Sequence, residues 1–142
     1  MYKHILLATD LHEDVDFILE KVRAIRGYTG AKLSVVHVME PLPGYSYAYL
    51  GIEDIEEQLV GEAREALAKL GEQLNIPAEY QWIEVGSAKS KILKVAEDIK
   101  ADLIVCGSHG RHGLSLLLGS TANGILHGAK CDVLTVRLPN GI

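Results

Sequence analysis

The sequence predicts a single α/β domain, built on a doubly wound and mainly parallel sheet of five strands with four helices. Three observations support this prediction. The chain, 1–142, has the size of one domain. Short apolar segments alternate along it with segments in which apolar residues recur every three or four positions, in the order βαβαβαβαβ. Four of the apolar segments are nearly continuous, as in strands that helices cover on both faces.

The predicted strands are short and consist mainly of apolar residues. The third contains the sequence EYQWIEV, which alternates polar and apolar residues, and we therefore expect it at an edge of the sheet. The five predicted strands span residues 4–8, 33–38, 80–85, 103–106 and 133–137.

The segments between the strands carry apolar stripes with helical spacing. Gly27 and Gly30 are expected to end the first helix, and Asn75 with Pro77 to end the second. The third stripe runs over 92–99 and the fourth over 120–127. The first two stripes consist of Val15, Ile18, Leu19, Val22 and Ile25, and of Ile55, Leu59, Ala63, Ala66, Leu67, Leu70 and Leu74.

The composition and the opening of the chain exclude several classes of protein. A net charge of -5 argues against a nucleic-acid-coating protein, which needs a basic surface. No segment approaches the roughly 20 apolar residues of a membrane span, and no signal peptide is recognisable, so we expect a cytoplasmic protein that contacts no membrane. Cys106 and Cys131 lie in apolar segments without metal-like spacing and are interpreted as core residues in a reducing compartment.

Ligands of doubly wound sheets bind beyond the carboxyl ends of the strands, where the strand order reverses. Four short segments lie at the carboxyl ends of the predicted strands: 8–10, 38–40, 85–87 and 106–108. The segment 41–51, with two prolines and three tyrosines, is interpreted either as a loop or lid near the ligand or as a plain surface connection.

The glycine-rich segment from Gly107 to Thr121 follows a predicted strand and leads into a predicted helix. Glycines allow a phosphate to approach the backbone closely, and the first turn of a helix offers free amides. The hydroxyls of Ser120 and Thr121 would add donors. The alternative is structural: the glycines turn the chain and Ser120 caps the helix. The segment matches neither a P-loop nor a dinucleotide fingerprint.

Four segments together resemble the universal stress protein family: YKHILLATDL, LSVVHV, VGSAKSKILKVAEDIKADLIVCGSHGRHG and LLLGSTANGILHGAKCDVLTVR. The opening is similar to the A-type subgroup. ATP-binding members of the family carry Gly-x-x-Gly, nine residues, then Gly-Ser or Gly-Thr. Gly107, Gly110 and Gly119-Ser120 match this pattern, but eight residues instead of nine separate Gly110 from Gly119.

The resemblance implies an adenine nucleotide α-hydrolase-like fold that binds ATP or AMP, alone or with Mg²⁺. It also implies a homodimer through the last strand, from Val133 to Leu138, and a regulatory role with a protein partner that the sequence does not identify. By this resemblance the ligand contacts are Ala8, Thr9 and Asp10 around adenine and ribose, the main chain of Val38 at the adenine edge, and Gly107, Gly110, Arg111, Gly119, Ser120 and Thr121 at the phosphates.

Other chemistry is less well supported by the sequence. His109 and His112 lack a clear third metal ligand, and Ser108 lies in no nucleophile elbow, so neither a metal site nor a catalytic residue is predicted. His37, inside the second strand, is interpreted as a structural residue. Two alternatives to a nucleotide-binding regulator stay open: a nucleotide-independent dimeric interaction module with a vestigial pocket, and a weak ATPase.

Overall fold

A computed structural model describes residues 1–11, 15–40, 52–108 and 120–137. Five parallel strands form one sheet in the order β3-β2-β1-β4-β5. This order reverses between β1 and β4, which defines a doubly wound sheet. The predicted fold class is confirmed, and every strand pair is parallel.

The strands are β1 (His4–Ala8), β2 (Lys32–Met39), β3 (Gln81–Val85), β4 (Leu103–Gly107) and β5 (Asp132–Val136). The four α-helices among the described residues are α1 (Val15–Thr29), α2 (Ile52–Leu74), α3 (Ala88–Asp98) and α4 (Ser120–Gly128). A short 3₁₀ turn, Ala78–Tyr80, precedes β3. The predicted strands agree with these bounds to within one residue at each end, and β3 lies at an edge as its alternating pattern predicts.

The first helix corrects one prediction. Gly27 lies inside α1 and does not end it. The helix ends at Thr29. Gly30, the next residue, has a φ of +66° and donates its N–H to the carbonyl of Arg26 at 2.8 Å. Of Gly27 and Gly30, only Gly30 adopts the left-handed conformation that commonly terminates a helix. Asn75, with a φ of +55°, ends α2 as predicted.

Two apolar cores lie on opposite faces of the sheet. Ile5, Leu7 and Val35 point to the face covered by α1 and α2, whereas Leu6 and Val36 point to the face covered by α3 and α4. Both faces of the three inner strands are therefore buried, which explains why their sequences are continuous and not alternating. No helix in the described ranges is long and apolar enough to cross a membrane.

Candidate functional site

The carboxyl edge of the sheet opens into a fork between β1 and β4. The ladder that joins these strands ends with the pair Leu7 and Val105. Beyond that pair, Ala8 remains paired with Val36 of β2, while Gly107 remains paired with Val136 of β5. The two halves of the sheet therefore separate at the point where the strand order reverses, which is where such sheets bind ligands.

The main chain of Gly107 faces this fork. Ser108 donates its N–H to the carbonyl of Val136 at 2.9 Å, so Ser108 directs its backbone groups toward β5. Successive residues of a strand direct their N–H and C=O groups to opposite neighbours. Gly107 consequently directs its N–H and C=O toward β1, past the last pair of that ladder.

The same alternation orients Val38 on the other side of β1. The carbonyl of Val36 accepts the N–H of Thr9 at 3.0 Å, and the carbonyl of Met39 accepts the N–H of Gly86 at 2.9 Å. Residue 36 therefore faces β1 and residue 39 faces β3. Val38, like Val36, directs its backbone groups toward the β1 side, just beyond the end of that strand.

Thr9 shapes the turn that follows β1. Its hydroxyl accepts the N–H of Leu11 at 3.0 Å, and its carbonyl accepts a hydrogen bond from Nδ1 of His37 at 2.8 Å. Leu11 has a φ of +61°, so the backbone leaves the extended conformation of β1 here. Ala8 and Thr9 are buried, whereas Asp10 is exposed at the mouth of the fork.

The fourth helix begins at the same edge. Ser120 is its first residue and is exposed, Thr121 is half-buried, and Ala122 is buried against the sheet. The first turn therefore offers its backbone amides and two hydroxyls on the side where β4 ends.

Among the predicted site residues, Ala8, Thr9, Asp10, Val38, Gly107, Ser120 and Thr121 thus share one edge of the sheet. Gly110, Arg111 and Gly119 lie outside the described residues, as do His109 and His112. His37 is a half-buried strand residue that holds the Thr9 turn, in agreement with its structural interpretation. Its role in the turn was not predicted, because the contact joins a residue of β2 to the turn after β1, which lie far apart in the sequence.

Two groups with shifted pKa values show no sign of a reactive centre at the fork. Burial raises the pKa of the Cys106 thiol to about 11. Burial lowers the pKa of His4, which sits at the opposite, amino edge of the sheet. Within the described ranges, no group of three or more His, Cys, Asp or Glu side chains could hold a metal ion. The described part of the fork is therefore built from backbone groups, hydroxyls and one carboxylate, which suit a polar ligand.

The fold and this edge define the class: a doubly wound α/β domain whose strands β1 and β4 separate at the switch point. The sequence model of the universal stress protein family matches residues 1–137. Universal stress protein A homolog 2 of Coxiella burnetii is 45% identical over 141 residues, which cover 96% of each chain. The chain therefore belongs to the universal stress protein family.

Solved structures share the fold. The hypothetical protein MJ0577 has a TM-score of 0.85 and 27% identity, with 99% of each chain covered. A universal stress protein solved in complex with cAMP has a TM-score of 0.65 and 22% identity, with 96% of this chain and 97% of that one covered.

Proposed function

We propose that this universal stress protein binds an adenine nucleotide, ATP or AMP, in the fork between β1 and β4 and acts as a stress-response regulator. One observation carries the proposal: the β1–β4 ladder ends at Leu7 and Val105, so that the backbone of Gly107 faces the point where the two strands separate. Backbone N–H groups and a helix N-terminus at such a point suit phosphates without any net positive charge on the protein.

In the proposed complex, each part of the fork contacts one part of the nucleotide. Asp10 with the backbone of Ala8 and Thr9 holds the ribose and adenine, and the backbone of Val38 reads the adenine edge. An exposed carboxylate at the mouth of the fork suits ribose hydroxyls, since it accepts hydrogen bonds from both. The phosphates contact Gly107, Gly110, Arg111, Gly119, Ser120 and Thr121, with Mg²⁺ where the nucleotide brings it.

A structural relative crystallised with cAMP supports an adenine nucleotide as the ligand class. We further propose that the fork binds the nucleotide without rapid turnover. The bound nucleotide would change the stability or the exposed surface of a homodimer and thereby its choice of protein partner. Two free cysteines are consistent with a reducing, cytoplasmic location.

The test is native mass spectrometry of the purified protein, followed by titration of ATP, ADP and AMP with and without Mg²⁺. A Gly119→Val variant places a branched side chain in the proposed phosphate cradle. Gly61→Val is the matched control, because a Cβ at Gly61 on the exposed side of α2 meets nothing within 4 Å. We expect a dimer that takes up nucleotide, retains uptake in the Gly61 variant and loses it in the Gly119 variant.

A nucleotide present at 100 times its Kd stabilises the folded state by about 2.7 kcal/mol, so a thermal shift gives an independent readout. A wild-type dimer that neither takes up nor is stabilised by any of the three nucleotides would overturn the proposal. The eight-residue spacing between Gly110 and Gly119 would then mark a vestigial pocket in a nucleotide-independent interaction module.

A further inference from the structure

The side chain of Lys89 crosses from α3 to α4. A Cβ added to Gly124 of α4 would lie 2.3 Å from Cδ and 2.9 Å from Cγ of Lys89. The lysine stem therefore occupies the notch that the missing side chain of Gly124 leaves. This contact fixes the stem on the seam between the two helices, although the residue is exposed.

This seam lies over the fork. The third helix packs on β2 and β3, and the fourth packs on β5. The strands between these contacts are β1 and β4, which separate at the carboxyl edge. Both helices begin at that edge, because a helix that connects two parallel strands runs from the carboxyl end of the first to the amino end of the next. The third helix begins at Ala88, separated from the end of β3 by two residues, and the fourth ends at Gly128, shortly before β5 begins at Asp132.

The ammonium group of Lys89 is consequently within reach of the first turn of α4. Gly124 follows Ser120 by four residues, which is about 6 Å along a helix axis. A Cβ at Gly124 would lie 3.4 Å from Cε of Lys89, and the ammonium nitrogen is one bond further.

The position of this charge is unfavourable for the isolated helix. The first turn of α3 contains Lys89 and no acidic residue, and its N-cap residue, Ser87, makes no side-chain capping bond. A cation near a helix N-terminus opposes the helix dipole. Within the described residues, Lys89 also forms no ion pair. An anion bound at the fork would offset the unfavourable interaction between the Lys89 charge and the dipole of α3.

We propose that Lys89 is a specificity residue that contacts the outer phosphates of the bound nucleotide and favours ATP over AMP. This assignment rests on the proposed function. Its contribution is electrostatic and therefore grows with the number of phosphate charges, from none for adenosine to the largest effect for ATP.

The test compares Lys89→Met with Lys91→Met. Methionine keeps most of the stem in the Gly124 notch and removes the charge. Lys91 lies on the same helix, but its Cε is 3.0 Å from the position of a Cβ at Gly86, so its stem folds over the turn after β3. The control therefore removes one charge from the same helix at a different position.

We measure the Kd values of ATP, AMP and adenosine by calorimetry in 50 mM and 500 mM NaCl. Lys89→Met should weaken ATP binding by about five- to tenfold in low salt, AMP binding less, and adenosine binding not at all. The difference should shrink in high salt, and Lys91→Met should bind like the wild type.

Equal losses in both lysine variants would attribute the effect to net charge and overturn the assignment, as would an unchanged ATP affinity in Lys89→Met. In both cases the wild type still binds nucleotide, so the proposed function stands. A wild type that binds no nucleotide would overturn the proposed function and the Lys89 assignment together.

Discussion

His4 occupies a half-buried position at the amino edge of the sheet, where two partners fix its tautomer. Nδ1 lies 3.2 Å from the carbonyl oxygen of Ile99, which can only accept, so Nδ1 carries the hydrogen. Nε2 lies 2.7 Å from Oγ of the fully buried Ser34 and accepts from that hydroxyl. Burial lowers the pKa of His4, and Lys32 lowers it further, against the Ile99 carbonyl and Asp102, which raise it.

This shift makes the stability of the domain depend on pH. The unfolded chain binds a proton at His4 near pH 6.5, whereas the folded chain binds it only at lower pH. The contribution of neutral His4 is therefore complete above about pH 6.5 and is lost as pH falls through the folded-state pKa. We expect the difference in unfolding free energy between wild type and His4→Gln to decrease from pH 7.5 to pH 5.

Urea denaturation at four pH values across this range measures that difference. Other titrating groups are common to both proteins and cancel. Asp102, whose pKa is held low by the N–H groups of Lys3 and His4 despite some burial, titrates well below this window. A difference that stays constant with pH would contradict the prediction.

The two cysteines should differ in reactivity. Burial raises the pKa of Cys106 to about 11, so only about one thiol in a thousand is ionised at pH 8. Cys131 is half-buried, and its pKa is also raised, first by burial and then by the nearby Asp132 and Asp102. We expect iodoacetamide to label Cys131 slowly and Cys106 hardly at all in the folded protein, as peptide mass spectrometry would show.

Labelling in urea should reach both thiols, and a Cys131→Ser variant should stay unlabelled until it unfolds. Rapid labelling of Cys106 in the folded protein would contradict the burial of β4.

At the scale of elements, the second helix offers a direct comparison of two glycines. A Cβ at Gly61 meets nothing within 4 Å, whereas a Cβ at Gly71 would lie 2.1 Å from Nε2 of Gln81 and 3.0 Å from the carbonyl oxygen of Ile76. The Gln81 amide is itself held, since it donates to that carbonyl at 2.9 Å. Gly71 thus allows the helix to pack against the start of β3.

Gly61→Ala should therefore stabilise the protein by up to about 1 kcal/mol through helix propensity. Gly71→Ala gains the same propensity but should destabilise the protein by about 1–3 kcal/mol, because the backbone carbonyl and the bonded amide must move. Urea unfolding of both variants measures the contrast. Equal effects at the two positions would contradict this account of the α2–β3 contact.

At the scale of the whole molecule, β5 is an edge strand that can pair with a second copy. Val136 bonds to β4, and by alternation Val133, Thr135 and Arg137 direct their backbone groups outward. The proposed dimer would use these groups, since an unpaired apolar edge invites pairing. Thr135→Pro removes an outward N–H without removing a bond to β4.

We expect Thr135→Pro to remain folded but to sediment as a monomer in analytical ultracentrifugation, while Thr135→Val remains a dimer like the wild type. Circular dichroism checks the fold of each variant. A wild-type monomer, or a proline variant that still dimerises, would contradict pairing through this strand.

The sequence by itself determined the succession of elements, because an alternation of continuous apolar runs with helical stripes has few other solutions in a chain of this size. It also located the glycine-rich segment after β4 and the start of α4 at Ser120. It misassigned Gly27 as a helix end, since a glycine inside a helix and one that ends it look alike until φ is known.

Only the tertiary structure decided which residues share the fork. The separation of β1 from β4 after Leu7 and Val105 is a property of strand pairing. The register also determines that the backbone groups of Gly107 and Val38 are directed toward the end of β1. The contacts of Lys89 with Gly124 and of His37 with Thr9 likewise join residues far apart in the chain. Local sequence patterns fix elements, whereas such contacts depend on how the elements pack.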